Sequence, residues 1–256
     1  MHMILPRIIP SLLLSGRGLV KGINYRNHRY IGDPINIVRI FNCKSVDELL
    51  FLDINATKEN RIPPIQLLEN IADECLVPFG IGGGIRSLIE IESILKAGAE
   101  KVCVGSAAFG NIDFISEAAN SFGSQSIMVS VDVKRNGSGK PEVYVKSGLL
   151  NTRTDPVGYA KKIEQAGAGE ILLNSIDKDG TMTGYDIPLI YEVAKAVNIP
   201  VIACGGAGRW QDLATAIKEG GCQAAAAGSL FVFHGPRRAV LVNYPSPEEL
   251  EGIRKQ

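Results

Sequence analysis

Three aspartates follow short apolar runs and have the chemistry of general acids or bases. Asp132 comes after Val-Ser-Val, Asp53 comes after Phe-Leu, and Asp179 lies in an Asp-Lys-Asp-Gly turn. A carboxylate at an apolar opening can have a raised pKa and can exchange protons near neutral pH. Capping or loop bracing is the commoner role of an aspartate, and it competes most strongly at Asp179. Asp132 is therefore the best catalytic candidate.

Glycine-rich segments follow four apolar runs, and two of these segments continue into serine. Without side chains, their backbone N–H groups can approach an anion closely, and the serine hydroxyls add donors. Tight turns alone would explain one such segment, whereas four segments duplicated along the chain favour two phosphate sites. The predicted phosphate-binding residues are Gly82, Gly83, Gly84, Gly105, Ser106, Gly205, Gly206, Gly228 and Ser229.

Charged residues of both signs precede four of the apolar runs, at what would be the opposite end of a barrel. They are Arg7, Glu48, Lys101 and Glu170. Two cations and two anions that point inward could form a neutral ring around the barrel axis. A plug of salt bridges that closes this end explains the same pattern without any function, so the pattern alone leaves both interpretations open.

Eight short apolar runs alternate with amphipathic stretches, the pattern of strands buried on both faces of a parallel sheet. Eight strand–helix units close most simply into a (β/α)8 TIM barrel, with an open doubly wound sheet as the alternative. The active residues of such a barrel lie at the carboxyl ends of its strands. The predicted strands are residues 8–14, 49–54, 77–81, 102–104, 127–133, 171–173, 201–203 and 224–227.

The segments between these runs predict helices, and Gly98, Gly167 and Gly220 follow three of them as left-handed stops. Residues 134–147, after the fifth strand, predict a hairpin. Residues 16–34 predict a long loop after the first strand, of the kind that often acts as a lid. The predicted helices include residues 88–97, 156–166, 188–197 and 212–219.

The chain contains an internal repeat, because residues 82–109 align without gaps on residues 205–232. Glycines, a serine and an arginine recur at the same positions of both copies. A shift near half of the chain length predicts two similar half-barrels. No linker or low-complexity segment interrupts the pattern, so residues 1–256 are predicted to form a single barrel domain.

Composition excludes several classes of function. The chain has 256 residues, 45% of them hydrophobic, and a net charge of zero. No basic stripe fits a nucleic-acid backbone and no basic amphipathic helix fits a membrane, so we expect a small-molecule or protein partner. Five cysteines without a Cys-x-x-Cys pair are typical of reduced, buried thiols in a cytoplasmic protein. No metal or other cofactor is predicted.

A set of short motifs, spread from residue 7 to about residue 231, matches one known family in order and spacing. The motifs are Arg7-Ile-Ile-Pro, Val20-Lys21-Gly22, Gly32-Asp33-Pro34, Phe51-Leu-Asp-Ile, Gly82-Gly-Gly-Ile-Arg, Phe122-Gly-Ser-Gln, Gly167-Ala-Gly-Glu-Ile-Leu-Leu, Asp179-Gly-Thr, Gly184-Tyr-Asp and Gly205-Gly-Ala-Gly. Together they resemble the cyclase subunit of imidazole glycerol phosphate synthase, a ribulose-phosphate-binding barrel.

The resemblance implies that a glutaminase partner supplies ammonia, which passes through the barrel to a bis-phosphorylated substrate. Two phosphate sites are implied, in agreement with the duplicated glycine segments. The four charged residues that precede the strands are implied to form an ammonia gate. Lys21 and Asp53 match further active-site positions of the family.

The first strand departs from the family pattern at a catalytic position. In the family this strand ends in Cys-Leu-Asp, and its aspartate acts as a catalytic acid or base together with a second aspartate, which corresponds to Asp132 here. This chain has Ser11-Leu12-Leu13 at the position of that motif. Leucine has no proton to exchange, so a mechanism with two acids cannot run in the usual way. Further departures are Gly105 in place of Asn, Asn174 in place of Thr and Cys204 in place of Ser.

The chain after the eighth strand also departs from the family, since residues 228–245 replace its usual last helix. This tail and the lost aspartate resemble a paralogous branch associated with sugar amidation in surface-polysaccharide pathways. They favour a barrel that forms a heterodimer with a glutaminase and supplies ammonia to a separate sugar amidotransferase. Two alternatives stay open: a working histidine-pathway cyclase in which Asp132, Asp179 or a water replaces the missing acid, and a silent scaffold that activates a glutaminase.

Overall fold

A computed structural model of the chain describes residues 5–255. The strands are β1 (Arg7–Ser15), β2 (Gly18–Ile23), β3 (Arg26–Gly32), β4 (Leu49–Asp53), β5 (Phe79–Gly82), β6 (Lys101–Val104), β7 (Ile127–Arg135), β8 (Pro141–Val145), β9 (Leu150–Asn151), β10 (Glu170–Ser175), β11 (Val201–Cys204), β12 (Ala224–Ala227), β13 (Phe233–His234) and β14 (Ala239–Val240). The helices are α1 (Pro34–Asn42), α2 (Ile65–Glu74), α3 (Leu88–Lys96), α4 (Ser106–Gly110), α5 (Asp113–Phe122), α6 (Pro156–Gln165), α7 (Ile187–Ala194), α8 (Trp210–Lys218), α9 (Ser229–Val232) and α10 (Pro247–Arg254), with a 3₁₀ turn at Ser124–Ser126. Within residues 5–255, every helix is too short or too polar to cross a membrane.

Eight of these strands pair in parallel and close into a barrel. Their order around the barrel is β1, β4, β5, β6, β7, β10, β11 and β12, and β12 pairs again with β1. β7 and β10 are neighbours in this ring, with Asp132 as the register partner of Asn174. Helices join the successive strands, so the (β/α)8 barrel is confirmed and the open sheet is excluded. Each predicted apolar run overlaps one barrel strand.

Apolar side chains pack in two places. One set fills the inside of the barrel and is called the interior layer here, and the other set lies between the strands and the helices. Side chains alternate along each strand, so Ala224 and Ala226 belong to the interior layer while Ala225 and Ala227 belong to the outer one. Because β12 consists of alanine alone, it contributes little volume to the interior. The interior layer is Ile9, Leu50, Cys103, Met128, Leu172, Ile202, Cys204, Ala224 and Ala226.

The five cysteines are free thiols in different surroundings. Cys103, Cys204 and Cys222 are buried, which confirms the prediction for these three. The prediction is wrong for Cys43, which is exposed directly after the end of α1, and Cys75 is only partly buried.

Left-handed glycines end several of the helices. The predicted stops are confirmed at Gly98 and Gly167, whose φ angles are 102° and 93°. The third prediction is one residue early, since Gly221 takes the left-handed conformation after α8 with a φ angle of 71°. Gly220 is required for space instead, because a Cβ atom there would lie 2.4 Å from the carbonyl oxygen of Ala216.

Two hairpins extend the barrel at the carboxyl ends of its strands. β7 continues into the antiparallel strand β8, which confirms the hairpin predicted at residues 134–147. The prediction of an irregular loop at residues 16–34 is wrong, because β2 and β3 form a hairpin that pairs with β1. Its tight turn uses Asn24 and Tyr25, with φ angles of 50° and 61°. The polar, exposed β3 lacks the apolar alternation by which a strand is predicted.

The tail of the chain runs along the outside of the barrel from one end to the other. In the β13–β14 segment, Arg238 donates a hydrogen bond to a carbonyl of the loop after β10. Phe231 packs between Trp210 and Tyr244, with ring-centroid distances of 5.9 and 5.5 Å. The Tyr244 hydroxyl then donates to the carbonyl oxygen of Ile8 at 2.9 Å, at the amino-terminal end of β1. α10, which the apolar pattern did not predict, follows and packs against α8.

Replacing Phe231 with alanine should lower the free energy of unfolding by about 3–5 kcal/mol, because the ring is fully buried between two aromatic neighbours. Chemical denaturation measures this change. Tyr191→Ala is the control, since that side chain is 47% exposed and its loss should cost less than about 0.5 kcal/mol. A loss at Phe231 no larger than that of the control would mean that the tail is not part of the folded core.

Candidate active site at the barrel mouth

A cavity of about 1110 Å³ opens at the carboxyl ends of the barrel strands, and we call this opening the mouth. The β2–β3 and β7–β8 hairpins complete its wall. Of the predicted catalytic and phosphate-binding residues, Asp53 and Gly82 lie outside the cavity lining. Those that line it are Lys21, Gly83, Gly84, Gly105, Ser106, Asp132, Asp179, Gly205, Gly206, Gly228 and Ser229.

Asp132 lies in the cavity wall on β7. Burial raises the pKa of its carboxyl group to about 6, while hydrogen bonds from Tyr25 and Ser130 act in the opposite direction. The Ser130 hydroxyl donates to Oδ1 at 3.1 Å. A carboxyl group with this pKa is present in both protonation states near neutral pH, which is the requirement for a general acid or base.

Leu13 lines the same cavity from β1, at the position where the family pattern has an aspartate. Its register partners are Leu52 on β4 and Val20 on β2, so the wall around it is apolar. The mouth therefore contains Asp132 without the second acid that the family pattern places on β1.

Lys21 and Asp179 form a buried ion pair at the mouth, with 2.8 Å between Nζ and Oδ1. Lys21 comes from β2 and Asp179 from the loop after β10, so the pair fastens the β2–β3 hairpin to the barrel. Gly228 leaves the room that this lysine needs, since a Cβ atom there would lie 2.9 Å from Lys21 Cε. Because the two charges neutralise each other, the geometry favours a structural role, and the catalytic roles of both residues stay predictions.

Asp53 makes the contacts of a carboxylate that braces a loop. Its Oδ2 lies 2.6 Å from Arg61 Nη1, and its side chain is fully buried behind the cavity wall. Its Oδ1 accepts hydrogen bonds from the backbone N–H groups of Asn55 and Ala56. These contacts favour the bracing alternative, and the catalytic role implied by the resemblance stays a prediction.

The serines of the two half-barrels differ in their contacts. The Ser229 hydroxyl is buried in the cavity wall and has no hydrogen-bond partner among residues 5–255. The Ser106 hydroxyl accepts a hydrogen bond from the backbone N–H of Lys146 at 2.9 Å. A buried polar group without a partner costs about 1–3 kcal/mol, which a bound ligand would recover. The segment around Ser229 is therefore the better candidate for a phosphate site.

Packing alone explains some of the predicted phosphate-binding glycines. Gly83 and Gly206 have left-handed φ angles of 119° and 122°. A Cβ atom at Gly206 would lie 2.3 Å from the carbonyl oxygen of Gly184. Gly105 differs, because a Cβ atom there would lie 3.7 Å from its nearest neighbour, which is ordinary contact. The tight-turn explanation therefore holds for Gly83 and Gly206 but not for Gly105.

The four charged residues at the amino-terminal ends of the strands form a closed arrangement, which we call the floor ring. Arg7 pairs with Glu48 and also with Glu170, the latter at 2.6 Å. Lys101 Nζ lies 3.2 Å from Glu48 and 3.0 Å from Glu170. Each cation therefore contacts both anions, as the sequence pattern suggested. The role of the floor ring as an ammonia gate stays a prediction.

Tyr25 and Asn174 also line the cavity; Tyr25 was not predicted, and Asn174 was noted only as a departure from the family pattern. Asn174 Nδ2 donates to the Tyr25 hydroxyl at 2.5 Å, and Asn174 Oδ1 is buried without a partner in the described part of the chain. Tyr25 stands in a polar turn, so no periodicity could indicate that its ring enters the cavity. Asn174 is at a strand end, and the rule that selected Asp132 would have selected it as well.

Residues 7–236 match the family model described as histidine biosynthesis protein. The chain belongs to this family. A Pseudomonas aeruginosa protein provisionally named imidazole glycerol phosphate synthase subunit hisF2 is 45% identical over 97% of this chain and 99% of its own length. A provisionally named subunit HisF of Leptospira interrogans is also 45% identical, over 98% of this chain and 99% of its own. The imidazole glycerol phosphate synthase subunit HisF of Alkaliphilus metalliredigens is 43% identical over 91% of this chain and 92% of its own length.

These relatives confirm the resemblance to the cyclase subunit of imidazole glycerol phosphate synthase that the motifs indicated. The match to the histidine biosynthesis protein family ends at residue 236, so the last part of the tail lies outside it. The names of these three relatives contain no reference to sugar amidation or to polysaccharide synthesis.

Replacing Ser229 with alanine should weaken the binding of inorganic phosphate by about tenfold, because a hydrogen bond to a charged oxygen is lost. Stability should be retained, since the hydroxyl has no protein partner in residues 5–255. Calorimetric titration with phosphate measures the affinity. Ser106→Ala is the matched control from the other half-barrel and should lose less affinity, because Lys146 already uses that hydroxyl. Equal losses in the two variants would refute this difference between the serines.

Proposed function

We propose that this chain is the synthase subunit of a cytoplasmic glutamine amidotransferase complex. In this complex a class-I glutaminase forms a heterodimer with the floor of the barrel and releases ammonia there. The ammonia passes through the barrel to the mouth and is used to amidate a sugar held by a separate sugar amidotransferase. The observation that carries the proposal is a complete floor ring in a barrel whose mouth has Leu13 in place of an acid.

The floor ring suits the passage of a neutral molecule. Its two cations and two anions leave no net charge, and the Glu48 side chain is only 3% exposed. An ion that crosses this end of the barrel must leave water at a cost of several kcal/mol, whereas ammonia is neutral and small. In this proposal Lys101 is the member of the ring that moves, because Arg7 pairs with both carboxylates without it.

The interior layer above the ring supports the same passage. Ala224 and Ala226 are its smallest members and lie together on β12. Its two thiols stay neutral, because burial raises the pKa of Cys103 and raises that of Cys204 to about 12. An apolar path without ionised groups admits ammonia more readily than ammonium.

In this proposal, Leu13 is the reason for choosing a sugar, rather than the histidine-pathway substrate, as the acceptor of ammonia. General acid–base catalysis contributes about 10²–10⁴-fold to a rate, so the loss of one of two acids leaves a poor cyclase. The sugar is chosen because the lost aspartate and the tail resemble the paralogous branch described above. A substrate or partner that carries phosphate fits the open Ser229 segment.

A second candidate function is the cyclase reaction of histidine biosynthesis, a lyase activity. It is favoured by the pKa of about 6 at Asp132, which equips one residue to donate and accept protons in turn. The names of the relatives from Alkaliphilus metalliredigens and Hydrogenobaculum, 43% and 47% identical, support the same alternative. In this function Asp132 works with Asp179 or with water.

Restoring the acid tests the proposal. We expect Leu13→Asp to form imidazole glycerol phosphate from the bis-phosphate substrate, with ammonium salt as the nitrogen source, about 100-fold faster than the wild type. Leu13→Asn is the matched control, because it has the same shape and polarity but no acid, and it should remain as slow as the wild type. Initial rates without any glutaminase are the measurement.

A wild-type rate equal to that of Leu13→Asp would instead establish the histidine-pathway cyclase. If Leu13→Asp and Leu13→Asn raised the rate equally, the wild-type protein would be slow because a polar side chain is missing at this position, and not because a proton donor is missing. Thermal unfolding of the three proteins controls for loss of fold.

A further inference from the structure

The turn of the β2–β3 hairpin holds one aromatic side chain, that of Tyr25, in the cavity. The preceding residue, Asn24, fastens this turn to the loop after β10. Its Nδ2 donates to the carbonyl oxygens of Asp177 at 2.8 Å and Ile176 at 3.1 Å, and its backbone N–H donates to that of Asp179 at 2.9 Å. Three hydrogen bonds from one residue to one loop restrict the positions that the Tyr25 ring can take.

The Tyr25 hydroxyl meets two polar side chains from neighbouring strands. Asn174 on β10 and Asp132 on β7 are register partners, so their side chains lie side by side at the mouth. Asn174 donates to the hydroxyl oxygen at 2.5 Å, which leaves the hydroxyl hydrogen for another acceptor. The register places the Asp132 carboxylate beside Asn174, and a hydrogen bond from Tyr25 is the largest influence that opposes the rise of its pKa by burial.

Tyr25 remains a donor throughout the neutral range. Burial raises the pKa of its phenol well above the ordinary value, and the carboxylates of Asp132 and Asp179 raise it further. The neighbouring thiols do not compete as anions, because burial keeps them protonated. The other titratable groups around Asp132 are Asp179 with its partner Lys21, Cys103 on β6 and Cys204 on β11.

We propose that Tyr25 is a positioning residue that sets the proton occupancy of Asp132, in a site where Leu13 supplies no second acid. The hydroxyl is held by Asn174 and stabilises the charged form of the Asp132 carboxylate. The inference rests on the second candidate function, the cyclase reaction, only in treating Asp132 as the reacting acid. It assigns a role in that chemistry to the β2–β3 hairpin, which also contributes the buried ion pair of Lys21.

A purely steric role for the Tyr25 ring makes a different prediction. A ring that only excludes water disfavours the carboxylate, so weakening its cover would lower the pKa of Asp132. A hydroxyl that donates to the carboxylate favours the charged form, so its removal raises that pKa. A Tyr25→Phe variant therefore separates the two roles, because phenylalanine keeps the ring and removes only the hydroxyl. A steric role leaves the pKa of Asp132 unchanged in this variant, and a donor role raises it.

The test is the titration of Asp132 followed by carbon-13 NMR in protein labelled at the aspartate carboxyl carbons. The Asp132 signal is identified by its absence in Asp132→Asn. We expect the midpoint of this titration to rise by about one pH unit in Tyr25→Phe. Neither substrate nor glutaminase is needed, so failure of this inference and failure of the proposed ammonia transfer are distinguishable.

Tyr144→Phe is the matched control. Tyr144 lines the same cavity from β8 and is the register partner of Asp132, but its ring lies against Lys134, 5.9 Å from the ammonium nitrogen. The midpoint in this variant should equal that of the wild type. An unchanged or lowered midpoint in Tyr25→Phe would overturn the proposal, and so would an equal rise in Tyr144→Phe.

Discussion

Closure of the sheet between β12 and β1 determines where the candidate site residues on the barrel strands lie. In a closed parallel barrel all strands begin at one end and finish at the other, with a packed interior between them. Glu48 and Glu170 stand before or at the start of strands that are not neighbours, yet closure brings both within reach of Arg7 and Lys101. The same closure gathers the strand ends into one mouth. An open sheet would satisfy the individual strands but would separate these charges.

The mouth matches the family pattern at several of its glycines but departs from it at Leu13. The glycines that packing requires, such as Gly206, are retained, while Leu13 removes an acid from a neighbouring wall. Ser229 is open to a ligand, whereas Ser106 is engaged by the β8 side of the second hairpin. Asp132 is therefore the first candidate for the acid that transfers protons at the mouth. The proton affinity of Asp132 is set by burial and by hydrogen bonds from side chains of β7, β10 and the first hairpin.

The apolar runs were sufficient to predict the eight barrel strands, since each strand is largely buried, whereas closure into a barrel was decided by the pairing of β12 with β1. They could not predict β3, whose exposed residues 26–30 pair only with β2 and carry no apolar alternation. Position at a strand end identified Asp132 correctly as a cavity residue but could not show that Asp53 turns toward Arg61. Tyr25 could not be predicted either, because its place depends on a turn and on contacts with a loop about 150 residues away in sequence.

The central claim is that the floor ring belongs to an interface through which a glutaminase is activated and ammonia enters. The most direct test is the rate of glutamine hydrolysis by a class-I glutaminase from the same organism, measured with and without the purified barrel. We expect a stimulation of about tenfold or more, which should be reduced in Lys101→Met but kept in Lys96→Met, whose side chain is 74% exposed outside the ring. A hydrolysis rate that the wild-type barrel leaves unchanged would contradict the account.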